Sequence, residues 1–283
     1  MNNNTQSRSP FPWIFFGITF LLTWACWIPA GMLPADQYHV LIKILHYAGG
    51  IMPTLAALLL LYISSNNLER KDYWQRLIDI KRINKVWYAV ILLTVPILTT
   101  LAGVLDLLLD GTWEKTQAAS NFILSPLSLI PFAVFIFLFG PLPEEMAWRG
   151  YALDGLQSRS NALFASLILG AAWTVWHLPL FWIEGTYQNG LGVGTPQFWP
   201  YMADKIPQSV LMTWIYNNTQ RSTASAVLFH FMINFWGELF DLSLRAEYIY
   251  IAAWWIMAII VTALWKPDKL VRLSRDLKKA GTG

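Results

Sequence analysis

Three groups of residues in the second half of this 283-residue chain are of types that can do acid–base and hydrogen-bond chemistry. Glu144 and Glu145 stand together in "PEEMAWRG" (143–150), with Arg149 four residues after Glu145. Trp173 and His177 are four apart in "WTVWH", and His230 and Asn234 are four apart in "HFMIN". Residues at i and i+4 share one helix face, so each pair projects together. A carboxylate or an imidazole can take and return a proton, and withdrawal from water makes a carboxylate a stronger base. An imidazole and an amide one turn apart form a two-donor cradle for a developing oxyanion. Glu145 ahead of Arg149 is the favourable order for a helical ion pair.

All of these residues lie in or beside apolar runs, where an ionisable group needs a partner, a water cavity or a function. The chain is 55% hydrophobic and 13% charged, with mean hydropathy +0.42. Soluble chains carry about 25% charged residues, so a membrane protein is expected. Its sixteen tryptophans suit interfacial belts. Cys26 is the only cysteine, which excludes an intramolecular disulfide and a cysteine metal cluster. No basic run carries the interleaved aromatics of a nucleic-acid site, and that class is excluded too.

Runs near the ~20 residues needed to span a bilayer cover 11–32, 45–63, 87–109, 121–142, 161–183, 222–240 and 247–265. A weaker one, at 206–216, contains Pro207. With eight spans and the N-terminus inside, 16 Lys and Arg fall in cytoplasmic segments. These include Arg8, the Arg70–Lys85 cluster, Arg149, Arg159, Arg221 and the tail from Lys266. Only four, Lys43, Lys115, Lys205 and Arg245, fall outside, as the positive-inside rule requires. Both termini are therefore expected in the cytoplasm, and the cell (plasma) membrane is the expected location. The first run is too long for the apolar region of a cleaved signal peptide. The expected fold is all-α and polytopic, one integral membrane domain over 1–283 with a basic cytoplasmic tail at 266–283; the assignment of 120–241 as its catalytic core rests on the resemblance given below. The segment 66–87 reads as an amphipathic interfacial helix anchored by Trp74, Leu77, Ile78 and Ile83, or as a plain basic loop.

Depth decides whether the polar groups can meet. Glu144 lies some 20 Å from a helix end at Gln157, and His177 about 26 Å from Ser160. His230 and Asn234 lie about 12 and 18 Å from Ser222. Helix tilt and a kink at Pro179 absorb the differences, provided the fourth helix passes through Gly140–Pro143 and carries the glutamates into the membrane. A helix ending there would leave Glu144 at the water surface, far from His177. The proline-kinked continuation is the expected one.

In combination the three motifs resemble those of the CPBP intramembrane proteases, which include the type II CAAX prenyl endopeptidases and bacterial Abi proteins. The EExxxR signature is matched by Glu144, Glu145 and Arg149. The second signature, usually FxxxH, is matched by Trp173 and His177 with one aromatic for another. The third, HxxxN or HxxxD, is matched by His230 and Asn234. The resemblance covers roughly 120–241 and implies an eight-helix intramembrane endopeptidase whose cavity opens to the cytosol. It implies that Glu144 and His177 activate a water, that His230 and Asn234 hold the oxyanion, and that Glu145, Arg149 and Trp173 support the site. The implied substrate is a membrane-embedded or lipidated peptide, prenylated CAAX-type sequences among them, and the implied partner is the lipid bilayer.

Two other functions stay open: a non-catalytic bacteriocin-immunity or scaffold protein of the same fold, and a proton-coupled transporter using the carboxylates and histidines as a relay. A scaffold has no need of all the motif residues, and the halves show no repeat of the transporter kind. Neither GxSxG nor HExxH occurs. Glu144, His177 and His230 also make a His₂Glu set of the kind that binds catalytic Zn2+. Glu145 would then have to be the base, yet adjacent helical residues point about 100° apart and Arg149 competes for its lone pairs. A metal-free site is expected, with zinc as the alternative. Asp106, Glu238 and Asp241 are expected at the interface, and Trp173, Trp176 and Trp182 mainly in packing.

Overall fold

Lipid offers no partners to the backbone, so apolar runs of this length close their hydrogen bonds as helices. The computed structural model describes residues 12–271. α1 (Pro12–Met32) and α2 (Ala35–Ser64) pair as a hairpin, and α3 (Asn67–Ile78) leads through a 3₁₀ turn to α4 (Lys85–Leu107). α5 (Gln117–Leu124) precedes α6 (Leu129–Phe139), which continues as α7 (Pro141–Ala147), a π turn (Trp148–Ala152) and α8 (Leu153–Gln157). α9 (Ala162–Trp176), the short α10 (Tyr187–Leu191), α11 (Phe198–Asn218), α12 (Thr223–Gly237) and α13 (Leu244–Trp265) follow. Among the described residues the only strands are β1 (Trp113–Lys115) and β2 (Phe240–Leu242), an antiparallel ribbon.

The all-α membrane architecture is thus the one expected. Among the described residues six helical stretches are long and apolar enough to cross a bilayer: α1, α2, α4, the run from Pro126 through α8, α9 with its following turn, and α13. The other two expected spans are helices as well, α11 with 21 residues and α12 with 15. Nearly every position of α11 from Lys205 to Tyr216 is buried, so this helix meets protein rather than lipid. That explains its weak hydropathy, because a central helix can carry Lys, Gln, Ser and Thr. Only its apolar half was visible at 206–216. The lipid side is plain elsewhere: Leu21, Ile63, Leu127 and Ile259 are all mostly exposed.

α11 comes unusually close to α9 at Gly170. A Cβ there would lie 2.9 Å from Ile206 Cα and 3.0 Å from Ser209 Cβ. Only glycine allows this approach, which brings Lys205 and Ser209 up to the Trp173 side of α9.

Several sequence expectations change. Arg149, counted as a cytoplasmic charge, is fully buried within the π turn. Lys205, counted in an outer loop, is buried inside α11. Asp106, at the end of α4, is covered by its partners, holding Ser243 and Arg245 at the start of α13. The 121–142 run is broken at Ser125–Pro126, so α5 stands apart from the spanning helix. The 66–87 segment begins as a helix with an Asn66–Glu69 capping box; of its expected anchors Ile83 is buried in the protein and Ile78 is on the surface. Its buried side, toward the bundle, is made by Tyr73 and Arg76. Arg8 and the tail residues Arg272, Arg275, Lys278 and Lys279 lie outside the described residues.

Candidate active site

The "GPLPEE" run is a helix break followed at once by a helix start. Gly140 has φ −131° and ψ −89°, which ends α6, and Pro141 begins α7 at the first-turn position that tolerates a missing N–H. The Thr54 hydroxyl donates to the Pro143 carbonyl and ties the break to α2. Both glutamates follow inside the helix and are buried, so the kinked continuation holds and the surface collar does not. A Cβ on Gly140 would lie 3.1 Å from Asn234 Nδ2. The glycine therefore leaves room for the amide of α12 beside the kink.

Trp173 organises the buried cluster. Its indole Nε1–H donates to Glu144 Oε2 at 2.7 Å. Its carbonyl lies 2.8 Å from His177 Nδ1. A carbonyl only accepts, so Nδ1 carries the proton and Nε2 of the neutral ring keeps its lone pair. His177 caps α9, where the helix ends ahead of Pro179. The ring of Trp173 also meets the His230 ring edge-on at 5.0 Å between centroids, and Arg149 Cζ lies 5.4 Å from its centroid.

A second chain of bonds runs behind the first. Glu145 Oε1 accepts from Arg149 Nη1 at 2.9 Å and lies 3.0 Å from His230 Nδ1. Arg149 Nη2 donates to Ser209 Oγ at 3.1 Å. Glu145 and Arg149 are both completely excluded from solvent, and a buried pair of this kind needs such hydrogen bonds to offset its desolvation. Glu144 lies close enough to His230, Glu145 and Lys205 for their charges to act on it. Glu144, Glu145, Arg149, Trp173, His177 and His230 therefore form one buried cluster, and Asn234 stands half-buried at its edge beside Gly140. The side of the cluster toward α8 is sealed by the buried run Ala147–Leu153. Glu238 is exposed.

Among the described residues no three His, Cys, Asp or Glu side chains converge to hold a metal. Glu144, His177 and His230 each turn one polar atom to a protein partner, the Trp173 indole, the Trp173 carbonyl and Glu145, and each keeps another for a water or a metal.

Sequence reasoning passed over Ser209, for want of a motif, and Tyr201, Asp204 and Lys205, because 205 fell in a presumed loop. Tyr201, Lys205 and Ser209 repeat at four-residue spacing, a helical signal that could have placed them on one face. Trp176 and Trp182 part company: the Trp176 indole donates to Thr23 Oγ1 at 2.9 Å, whereas Trp182 is exposed.

Comparison with known proteins agrees with the motif residues. The family model for the Rce1-like type II CAAX prenyl endopeptidases matches residues 126–236, which contain every residue of the cluster. The chain is also similar to CAAX prenyl protease 2 of Methanococcus maripaludis, with 30% identity over 232 residues, 81% of this chain and 84% of that protein.

Proposed function

This chain belongs to the Rce1-like family of type II CAAX prenyl endopeptidases, and from that premise we propose that it hydrolyses a peptide bond of a lipidated, membrane-held substrate with a water activated by Glu144 and His177. The supporting observation is the double use of Trp173. Its indole holds Glu144 Oε2 and its carbonyl holds His177 Nδ1, which leaves Glu144 Oε1 and His177 Nε2 for a water.

Glu144 takes a proton as the water oxygen attacks the scissile carbonyl carbon, and His177 Nε2 orients the water by accepting its other hydrogen. The carbonyl oxygen becomes an oxyanion, which Asn234 Nδ2–H and His230 Nε2–H stabilise. With the Nδ1 proton of His230 directed at Glu145, Nε2 donates only when the ring carries both protons, and Glu145 supplies the balancing charge. Glu144 then returns its proton to the leaving nitrogen as the C–N bond breaks. The products are a carboxylic acid and an amine. No step needs a metal.

The relative's name points to prenylated CAAX sequences, and we assign this chain the same substrate class. The test compares membranes carrying the wild-type protein with membranes carrying Glu144→Gln. An uncleaved prenylated precursor should accumulate in the variant at equal protein abundance. Normal processing by Glu144→Gln would remove Glu144 as the base.

A further inference from the structure

Lys205 is a buried cation that none of the three motifs accounts for. Its side chain is only 10% exposed, and Nζ donates to Asp204 Oδ1 at 2.7 Å. The same nitrogen lies 3.9 Å from the Tyr201 ring centroid and 5.8 Å from that of Trp173. Both rings flank His177, at 6.0 and 5.8 Å between centroids. The ammonium thus stands in an aromatic slot beside the imidazole that orients the water, near enough for its charge to act on His177 and Glu144.

The pair is held from behind. Asp204 Oδ2 accepts from Gln208 Nε2 at 3.1 Å while Oδ1 takes Lys205, so both oxygens of the carboxylate are committed and it stays on the far side of the ammonium. One ammonium proton goes to Asp204, and the Tyr201 carbonyl is a marginal second acceptor at 3.5 Å. The remaining donor capacity faces the two rings. Burying a charge pair is costly, and apolar residues of similar volume serve packing as well or better. A charge kept at this position therefore points to an anion that arrives.

Resting on the protease assignment above, we propose that Lys205 anchors the free α-carboxylate of the substrate and makes the enzyme selective for peptide C-termini. A carboxylate entering between Trp173 and Tyr201 gains a charge-assisted hydrogen bond where water is excluded. Lys205 and Glu144 approach the same Trp173 indole, the first toward its ring and the second at its N–H. Lys205 is a positioning residue, distinct from the groups that move protons.

The experiment uses the full-length protein in lipid nanodiscs with a farnesylated peptide, made once as the free acid and once as the C-terminal amide. Wild type should prefer the acid by about 10- to 100-fold in kcat/KM, the range of one hydrogen bond to a charged group. Lys205→Met should collapse that ratio toward one, chiefly through KM for the acid, and Lys205→Arg should restore part of it. Equal wild-type rates on acid and amide, with cleavage intact, would overturn the anchor and leave the protease assignment standing. So would a Lys205→Met variant that slows both peptides alike and keeps the ratio. A wild-type protein that cleaves neither peptide would overturn the protease assignment and the anchor with it.

Discussion

At the scale of single residues, Trp173 matters more than its motif slot suggests. The family pattern usually has phenylalanine there, and one aromatic for another reads as neutral in sequence. The indole adds what phenylalanine lacks, an N–H donated to Glu144 Oε2. Trp173→Phe should keep the protein folded and lower kcat by about tenfold, the value of one charge-assisted hydrogen bond, as measured on a fluorogenic prenylated peptide. Trp173→Ala also removes the ring against which His230 and Arg149 pack and should cost about 3–5 kcal/mol of stability. Asn234→Ala should lower turnover about 10²–10³-fold, as loss of one oxyanion donor does. Residue types and spacing made this cluster legible, because each motif pair sits on one helix face. They did not reveal that one tryptophan joins two motifs through different atoms. The zinc alternative has its own test. Exhaustive chelation should leave activity intact, and loss restored by one equivalent of zinc would move Glu144 from base to ligand.

At the scale of elements, the π turn after the glutamates needs outside support. Such bulges occur mostly at functional sites and disturb the regular backbone ladder. α3 supplies donors: Tyr73 Oη reaches the Met146 carbonyl at 3.0 Å, and Arg76 Nη2 reaches the Gly150 carbonyl at 3.0 Å. Arg76 is further fixed by Asp72 at 2.9 Å, Asp154 at 3.2 Å and the Tyr216 hydroxyl at 2.5 Å. The sequence offered an interfacial helix or a basic loop here; the segment is a helix. What spacing did not show is that Arg76, counted among the surface charges, is buried in a charge network against the π turn. Arg76→Ala removes the donors to the Gly150 carbonyl and to Tyr216, while Asp154 keeps Arg221 and Tyr216, and should cost about 2–3 kcal/mol, visible as a lower thermal midpoint in detergent. Tyr73→Phe loses one neutral bond and should cost about 1 kcal/mol. Equal effects from the two would mean that the charge network carries no special weight.

At the scale of the whole molecule, the two ends of the bundle differ in charge, and we propose from the positive-inside rule that the basic end faces the cytoplasm. Burial of Arg76, Arg149 and Lys205 takes two charges from one side of the tally and one from the other and leaves fourteen against three, so the bias survives. The described part of the basic end is also physically continuous. Arg82 Nη1 bonds the Gln220 carbonyl at 2.8 Å, Arg221 meets Asp72 at 3.3 Å, and Asn218 Nδ2 bonds the Leu270 carbonyl at 2.7 Å. Ala162 N, at the start of α9, bonds the Asp268 carbonyl at 2.9 Å. The loop after α3, the α11–α12 turn and the start of the tail therefore share one end, as the charge rule requires of cytoplasmic segments. Glu184 lies past His177, about 24 Å of helix beyond Asn161, and marks the opposite end. In a Cys26→Ala background, Glu184→Cys should react with an impermeant maleimide added to intact cells. Lys81→Cys should react only after permeabilisation. The reverse pattern would invert the protein in the membrane and place the basic end, against the charge rule, on the outside.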